Sequence, residues 1–492
     1  MINNMLVRLL EIRQQQPDAL AYSTGETSIT WSQLYRQSKS IAHQLDKQGV
    51  RPRHRICLYL DDCLEWIVIH HAMIMLGAIP AMLHVKTEHM PTVGNFDYIV
   101  GEVDKIRTIN GYLKIMLHEL DFEKNLPWTN FYDYTDTDIF CMYSTSGTTG
   151  IPKFATFTHD SIFEPFKEIN PFKFTANSNL LCAVKLNTSY ARMVANLAPL
   201  FTGMHVILLS DTKDLAQMPY LVDRYKLTHL AIVPRILDFL VTSKVGKLSE
   251  SHLIVISATG FLPQTLIKQA VSQLGIDLYH HYGSTETNCW ALFTNPDKIY
   301  GSLGKANTPG LTYKIIRKDG SECADNEHGE MTFYGMGVAV GYHNDPIGSQ
   351  HKFRNGWFYS GDIFYRNSEG FYFFVSRKDQ QIIIGGNVTY CSTIEDIIKS
   401  APNVLDCAVL HDSEQTSQQS LTIFVSLSSN IPCTILLDKI SIYQQNIIEI
   451  LIVKVLPHTI NHKKMRIKSD LMKYVIGSIT ASGQAEYRVN NL

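Results

Sequence analysis

The chain is short of the features that would confine it to a specialised class. Its nine cysteines are odd in number, scattered and never arranged as Cys-x-x-Cys. That argues against a zinc site and a disulfide-stapled scaffold, and for a reducing compartment. The net charge is only −2 and no basic run is long enough to line a nucleic-acid groove. The opening MINNMLVRLLEIRQQQ has no apolar core of signal-peptide length. The most apolar run, WIVIHHAMIMLGAIPAMLHV (66–85), is broken by two adjacent histidines, a glycine and a proline. It reads as a buried helix followed by a strand rather than a membrane span. Repeats and low-complexity segments are absent. These absences predict a cytoplasmic protein with neither a nucleic-acid partner nor membrane insertion. What is left is a 492-residue chain, 45% hydrophobic and 18% charged, with the composition of an ordinary multidomain globular protein.

The patterning then becomes informative. Thr30 is a candidate N-cap, after which Trp31, Leu34, Ile41 and Leu45 keep to one helical face until Gly49. RICLYL (55–60) reads as a strand, followed by a helix from about Cys63 to Leu76. HLAIV (229–233), LIVISA (253–258) and IDLYHHYG (276–283) are short apolar strands, with amphipathic helices near 234–243 and 263–274 between them. This alternation predicts an α/β fold of parallel sheets covered by helices. After residue 300 short strands with Gly, Asn and Asp turns predict a small antiparallel subdomain. Mixed helix and strand return near Asp379, where a domain boundary is expected.

Four segments carry chemistry. YSTSGTTGIPKF (143–154) follows a strand and combines the hydroxyls of Ser144, Thr145, Ser146, Thr148 and Thr149 with Gly147, Gly150 and Lys153. Hydroxyls, exposed backbone amides and a cation are the parts of a phosphate cradle. It is not a Walker A loop, because Gly150 is followed by Ile-Pro-Lys. YGSTETN (282–288) closes a strand, and Glu286 there suits a magnesium ion held against phosphate oxygens. GWFYSGD (356–362) ends in Asp362, which can accept two sugar hydroxyls, and Arg377 follows. LPHTINHKKMRIK (456–468) is strongly basic. Each alone reads more readily as a surface turn, a hairpin Asp or a solvated basic face than as a site.

Together and in this order they resemble the adenylate-forming superfamily of acyl- and aryl-CoA synthetases, peptide-synthetase adenylation domains and luciferases. GSLGKANTPG (301–310), GEMTFYGMGVAVGY (329–342) and SRKDQQIIIGGNV (376–388) are similar to its intervening, hinge and glycine-loop segments. The resemblance implies a large N-terminal adenylation domain (1–378) that binds ATP and acid, and a small mobile α+β lid (379–492). It implies a two-step reaction in which a carboxylate attacks the α-phosphate of ATP, giving an acyl-adenylate and pyrophosphate. A thiol then takes the acyl group. Carried over residue by residue, Thr145, Ser146, Gly147, Thr148, Thr149, Gly150 and Lys153 form the phosphate loop. Thr285 contacts the α-phosphate and Glu286 is the magnesium ligand. Tyr282, with Gly283 and Ser284 after it, stacks on adenine, and Ala258, Thr259 and Gly260 lie on its other face. Asp362 and Arg377 bind ribose, Asp379 is the hinge, and Lys463 is the adenylation lysine, three residues before Arg466.

The chain departs from that pattern at Phe154, Ser376 and His462, each where glycine is usual, and at Ser360, where threonine is usual. KLNTSYARMVANLAPLFTG (185–203) is similar to the acyl pocket of benzoate-type aryl-CoA ligases. Asn187, Tyr190 and Phe261 are the pocket candidates, although Tyr190 reads equally as core packing. Asn187 stands where amino-acid-activating domains carry Asp, which points away from a free amino acid. The expected cofactors are ATP, Mg²⁺ and either CoA or the phosphopantetheine of a separate carrier protein. The oligomeric state, including a homodimer, stays open. Two further readings are open: loading of a fatty or amino acid onto a carrier, and a catalytically weakened nucleotide-binding relative.

Overall fold

The computed structural model describes residues 5–492 except 26, 84–94, 146–152, 169, 210, 249–251, 261, 290, 295–298, 307, 385–386, 413–419, 429–433, 458–465, 467, 480–484 and 488–492. Two units divide the chain. The first comprises Met1–Glu327, Met331–Ser360 and Tyr365–Phe373, and the second His328–Glu330, Gly361–Phe364 and Phe374–Leu492.

In the first unit the alternating pattern becomes two sheets. The seven-stranded sheet runs, in spatial order, Gly341–Tyr342, Lys153–Thr158, Ile139–Thr145, Ile79–Met82, Arg55–Tyr59, Tyr98–Gly101 and Leu113–Met116. The eight-stranded sheet runs Leu292–Thr294, Ile276–Tyr282, Leu253–Ala258, His229–Ile232, Asn179–Cys182, His205–Leu208, Leu20–Thr24 and Thr27–Thr30. Their interiors are parallel, as expected. Antiparallel partners close three of the four edges, Leu113–Met116 being a parallel edge strand, and the antiparallel strands include those on either side of the hydroxyl-rich loop. Five strands carry the motif segments: β1 (Ile139–Thr145), β2 (Lys153–Thr158), β3 (Leu253–Ala258), β4 (Ile276–Tyr282) and β5 (Gly341–Tyr342).

Local chemistry sets the helix ends. Helix α1 (Trp31–Lys47) starts at Thr30, whose hydroxyl accepts from the Gln33 amide while the Gln33 side chain accepts from the Thr30 amide. It buries Trp31, Leu34, Ile41 and Leu45. Helix α2 (Leu64–Leu76) is buried from Trp66 to its end, so the apolar run is a core helix followed by the strand Ile79–Met82. Helices α3 (Pro234–Thr242) and α4 (Gln264–Leu274) fall where the periodicity places them. Trp31 and Trp66 and the rings of Tyr143, Phe157, Phe163 and Phe172 share one continuous core. No helix among the described residues is long and apolar enough to cross a membrane.

Downstream, Phe353–Arg354 pairs antiparallel with Trp357–Arg366, following helix α5 (Pro346–Lys352). The second unit has its own core. Helix α6 (Cys391–Lys399) buries Ile394 and Ile398 together with Val409, Leu421 and Ile423 of the strands Val404–Asp412 and Ser420–Leu427.

Candidate active site

The hydroxyl-rich loop is the crossing between two paired strands. Thr145 ends β1 directly opposite Lys153, which opens β2. The loop's Ser146, Gly147, Thr148, Thr149 and Gly150 lie outside the described residues, but both of its anchors are fixed. Phe154 takes its place as a strand residue, buried, with its ring 5.1 Å from that of Phe96 in an edge-on contact. A side chain at that position is therefore a packing element of β2.

The strand ends of the other sheet bring the second motif into place. Ala258 closes β3 opposite His281 of β4, and Thr259 turns the chain with φ 73°. Gly260 is less constrained, since an added Cβ would meet only Pro234, at 3.4 Å. Tyr282 closes β4, its ring roughly parallel to Phe333 with centroids 6.4 Å apart. Gly283 admits no side chain: a Cβ would lie 2.6 Å from the carbonyl carbon of Cys289. That close approach lets Ser284–Asn288 coil into a single tight turn, closed by the Cys289 amide donating to the Ser284 carbonyl at 3.0 Å. The turn presents Thr285 and Glu286 side by side. Thr285 Oγ1 lies 3.3 Å from Ser189 Oγ. Burial keeps the imidazoles of His280 and His281 neutral, with pKa values pushed down to about 4 and about 3.

Glu286 is buried, and its Oε1 accepts a hydrogen bond from the Tyr342 hydroxyl at 2.7 Å. Tyr342 belongs to β5, paired with β2 opposite Ala155. The Lys153 ammonium lies 5.3 Å from the centre of the same ring and forms a 2.7 Å ion pair with Asp345. Asp345 also caps α5, accepting from the Gly348 amide at 2.8 Å. Lys153 first, then that amide, holds the Asp345 carboxyl below the usual carboxylate range. Tyr342 and Asp345 thus link the loop lysine to the acidic residue of the turn, and neither was singled out from sequence. The available signal was Asp345-Pro346, an N-cap followed by proline at the first helical position. One carboxylate with a lysine near by fits magnesium, which takes one or two protein carboxylates and fills its shell with phosphate oxygens and water. Among the described residues no group of three His, Cys, Asp or Glu forms an all-protein metal cage.

The acyl-pocket candidates divide. Asn187 is buried; its Nδ2 donates to the Leu83 carbonyl at 2.8 Å and its Oδ1 has no partner among the described residues. Tyr190 is buried and spends its hydroxyl on the Ile256 carbonyl of β3 at 2.7 Å, a packing role by geometry. Phe261 lies outside the described residues.

In the second unit Arg377 Nη1 donates to the buried Asp362 at 2.6 Å, so the two expected ribose residues are neighbours. Asp379 sits half-exposed in the one-turn helix Lys378–Gln380, its carbonyl accepting from His411 Nε2 at 2.9 Å. Ser376 is buried and accepts from Ser392 at 3.3 Å. Lys463 and His462 lie outside the described residues. Arg466 does not: it grips Glu395 of α6 with two bonds of 2.7 and 3.1 Å.

The AMP-binding enzyme family model matches residues 10–91 and 99–343. The chain is 25% identical over 426 residues to the 2-succinylbenzoate–CoA ligase of Bacillus subtilis (strain 168), covering 82% of this chain and 84% of that one. The corresponding ligase of Geobacillus sp. (strain WCH70) is 26% identical over 422 residues, covering 83% and 84%. Among solved structures, the AMP complex of O-succinylbenzoate coenzyme A synthetase (MenE) from Bacillus subtilis aligns with a TM-score of 0.84 at 22% identity, covering 93% of this chain and 97% of that one. ATP-bound MatB from Rhodopseudomonas palustris aligns with a TM-score of 0.86 at 21% identity, covering 96% and 99%. These two structures share its α/β fold.

Proposed function

The chain belongs to the AMP-binding enzyme family, and from that premise we infer that it is an ATP-dependent acid–thiol ligase acting on an aryl carboxylic acid, with CoA as the thiol. The observation that carries this reading is the convergence of Lys153 and Glu286 on Tyr342. A carboxylate and a polyphosphate repel each other, so joining them requires fixed positive charge where negative charge accumulates. Lys153 supplies such charge at the foot of the loop. Glu286 would hold magnesium, which when bound neutralises phosphate charge. Thr285, next to it in the turn, would donate to a phosphate oxygen. An oxygen of the acid forms a bond to the α-phosphorus and pyrophosphate leaves. The thiol sulfur then attacks the acyl carbon, AMP leaves, and the thiol proton passes to solvent.

The remaining assignments are proposals on the same premise. The hydroxyls and amides of Thr145–Gly150 cradle phosphate. Tyr282 and the Ala258–Gly260 corner hold adenine, Asp362 and Arg377 the ribose, Asp379 is the hinge, and Lys463 contributes charge at the α-phosphate. The Bacillus and Geobacillus relatives are named for 2-succinylbenzoate and CoA, which supports an aryl acid and CoA over a carrier protein. No disulfide joins any two of the eight described cysteines, which fits a reducing cytoplasm.

The test is pyrophosphate release with hydroxylamine trapping, across 2-succinylbenzoate, benzoates, fatty acids and amino acids. Release with aryl acids, reduced about 100-fold or more in Lys463→Ala with ATP affinity retained, is expected. Release with fatty or amino acids alone would overturn the aryl assignment. Silence across the panel in a protein that still binds ATP would overturn the ligase reading.

A further inference from the structure

Arg192 is the one buried arginine among the described residues, 2% exposed. It opens a π-helical stretch, Arg192–Leu197, within the helical segment that follows Thr188. Such widened turns cost backbone geometry and occur disproportionately at functional positions. Tyr190, two residues earlier, points to β3 of the eight-stranded sheet. Arg192 turns the other way, into the strands that bracket the hydroxyl-rich loop. Its guanidinium carbon lies 4.1 Å from the centre of the Tyr143 ring on β1 and 4.6 Å from that of Phe157 on β2. Nη1 donates to Cys141 Sγ at 3.6 Å. Nε and Nη2 have no partner among the described residues, and no carboxylate there pairs with the guanidinium.

The groups around it are orphaned in the same way. Asn196 is fully buried and neither atom of its amide closes a hydrogen bond of good geometry. It approaches the Tyr143 hydroxyl as a donor without closing a hydrogen bond of good geometry, and the proton of that hydroxyl has no acceptor among the described residues. His70 of α2, stacked on Trp66 at 5.0 Å, leaves Nδ1 unpaired. Burial and the neighbouring charges of His71 and Arg192 hold His70 well below the ordinary histidine range, so its ring is neutral and adds no second cation. The result is an enclosed cluster rich in N–H and O–H donors around one permanent positive charge, with no protein anion among the described residues to balance it. Two aromatic faces offset part of that cost. Water would satisfy the donors and leave the charge unbalanced, whereas an anion does both. Tyr143, Phe157 and Trp66 are all fully buried, so a guest beside the guanidinium has to be small.

We propose that Arg192, Asn196 and Tyr143 enclose a buried binding site for a small inorganic anion of the halide class, lodged beneath the strand pair that carries the phosphate-loop segment. The occupant locks β1 and β2 together from below. The site stands whether or not the chain is a ligase.

The test uses the intact chain exchanged into gluconate, with chloride or bromide then substituted at constant ionic strength. Thermal unfolding of the parent protein is expected to rise by about 2 °C or more as halide saturates, with Arg192→Met showing no halide-dependent rise. Crystals grown in bromide are expected to show an anomalous peak within hydrogen-bonding reach of the guanidinium. This second measurement needs only the parent protein, so it decides the matter if Arg192→Met fails to fold. A halide-independent melting temperature, an equal rise in Arg192→Met, or an ordered water alone at the position would each overturn the proposal.

Discussion

Tyr342 and Asp345 show how much of a site can hang on residues that are not its reactive groups. Tyr342 gives its hydroxyl to Glu286 and its ring face to Lys153, while Asp345 holds the same lysine by an ion pair. The Lys153 ammonium is thereby already oriented and charge-balanced. The depressed Asp345 carboxyl has a consequence for acid stability. A carboxyl whose folded pKa lies below its unfolded value, about 3.9 for Asp, contributes stability that is fully present above the unfolded value. That contribution is lost as pH falls through the lower folded one. Asp345→Asn keeps a capping oxygen and removes the titration. The parent protein is thus expected to lose melting temperature more steeply than Asp345→Asn as pH falls below about 4. The check is a pair of thermal scans from about pH 6 down to about pH 3, spanning the ordinary carboxylate range; parallel curves would sink the assignment.

At the scale of elements, Arg466 is the clearest case of a residue whose sequence role and structural role differ. In the sequence it only marks a spacing from Lys463. In the fold its guanidinium binds both oxygens of Glu395 on α6, and Glu395 Oε1 also accepts from the Val409 amide at 2.9 Å. The chain just after Lys463 is therefore pinned to the core of the second unit. Breaking one side of a buried pair leaves the other charge stranded, so Arg466→Met is expected to destabilise the second unit by about 3 kcal/mol. Urea unfolding followed by hydrogen exchange in 404–427 measures this, and an unchanged protection pattern would contradict it. Much of the architecture was legible because periodicity and capping act locally: α1, α2, β3 and β4 fall where their apolar spacing and Thr30, Gly and Pro signals place them. Phe154 was not legible, because its burial against Phe96 depends on a strand pairing across a loop. Tyr190 was legible only as an ambiguity, which its bond to Ile256 resolves toward packing. Arg192 gave no signal, since a buried cation without a carboxylate is visible only once its surroundings are known.

For the whole molecule, function rests on which groups the fold gathers within the first unit and which it assigns to the second. The seven-stranded sheet supplies the loop anchors Thr145 and Lys153, and the eight-stranded sheet ends in the turn that carries Thr285 and Glu286. The second unit carries the Asp362–Arg377 pair and Asp379. That division suits a reaction with two chemically distinct half-steps, in which a labile adenylate is made before the thiol is admitted. The measurement that bears most directly on this account is product analysis by mass spectrometry after incubation with 2-succinylbenzoate, ATP, magnesium and CoA. The account predicts AMP, pyrophosphate and an acyl-CoA thioester in equal amounts, with no AMP formed when the acid is left out. ATP turned over to ADP and phosphate, with no AMP and no thioester, would contradict it.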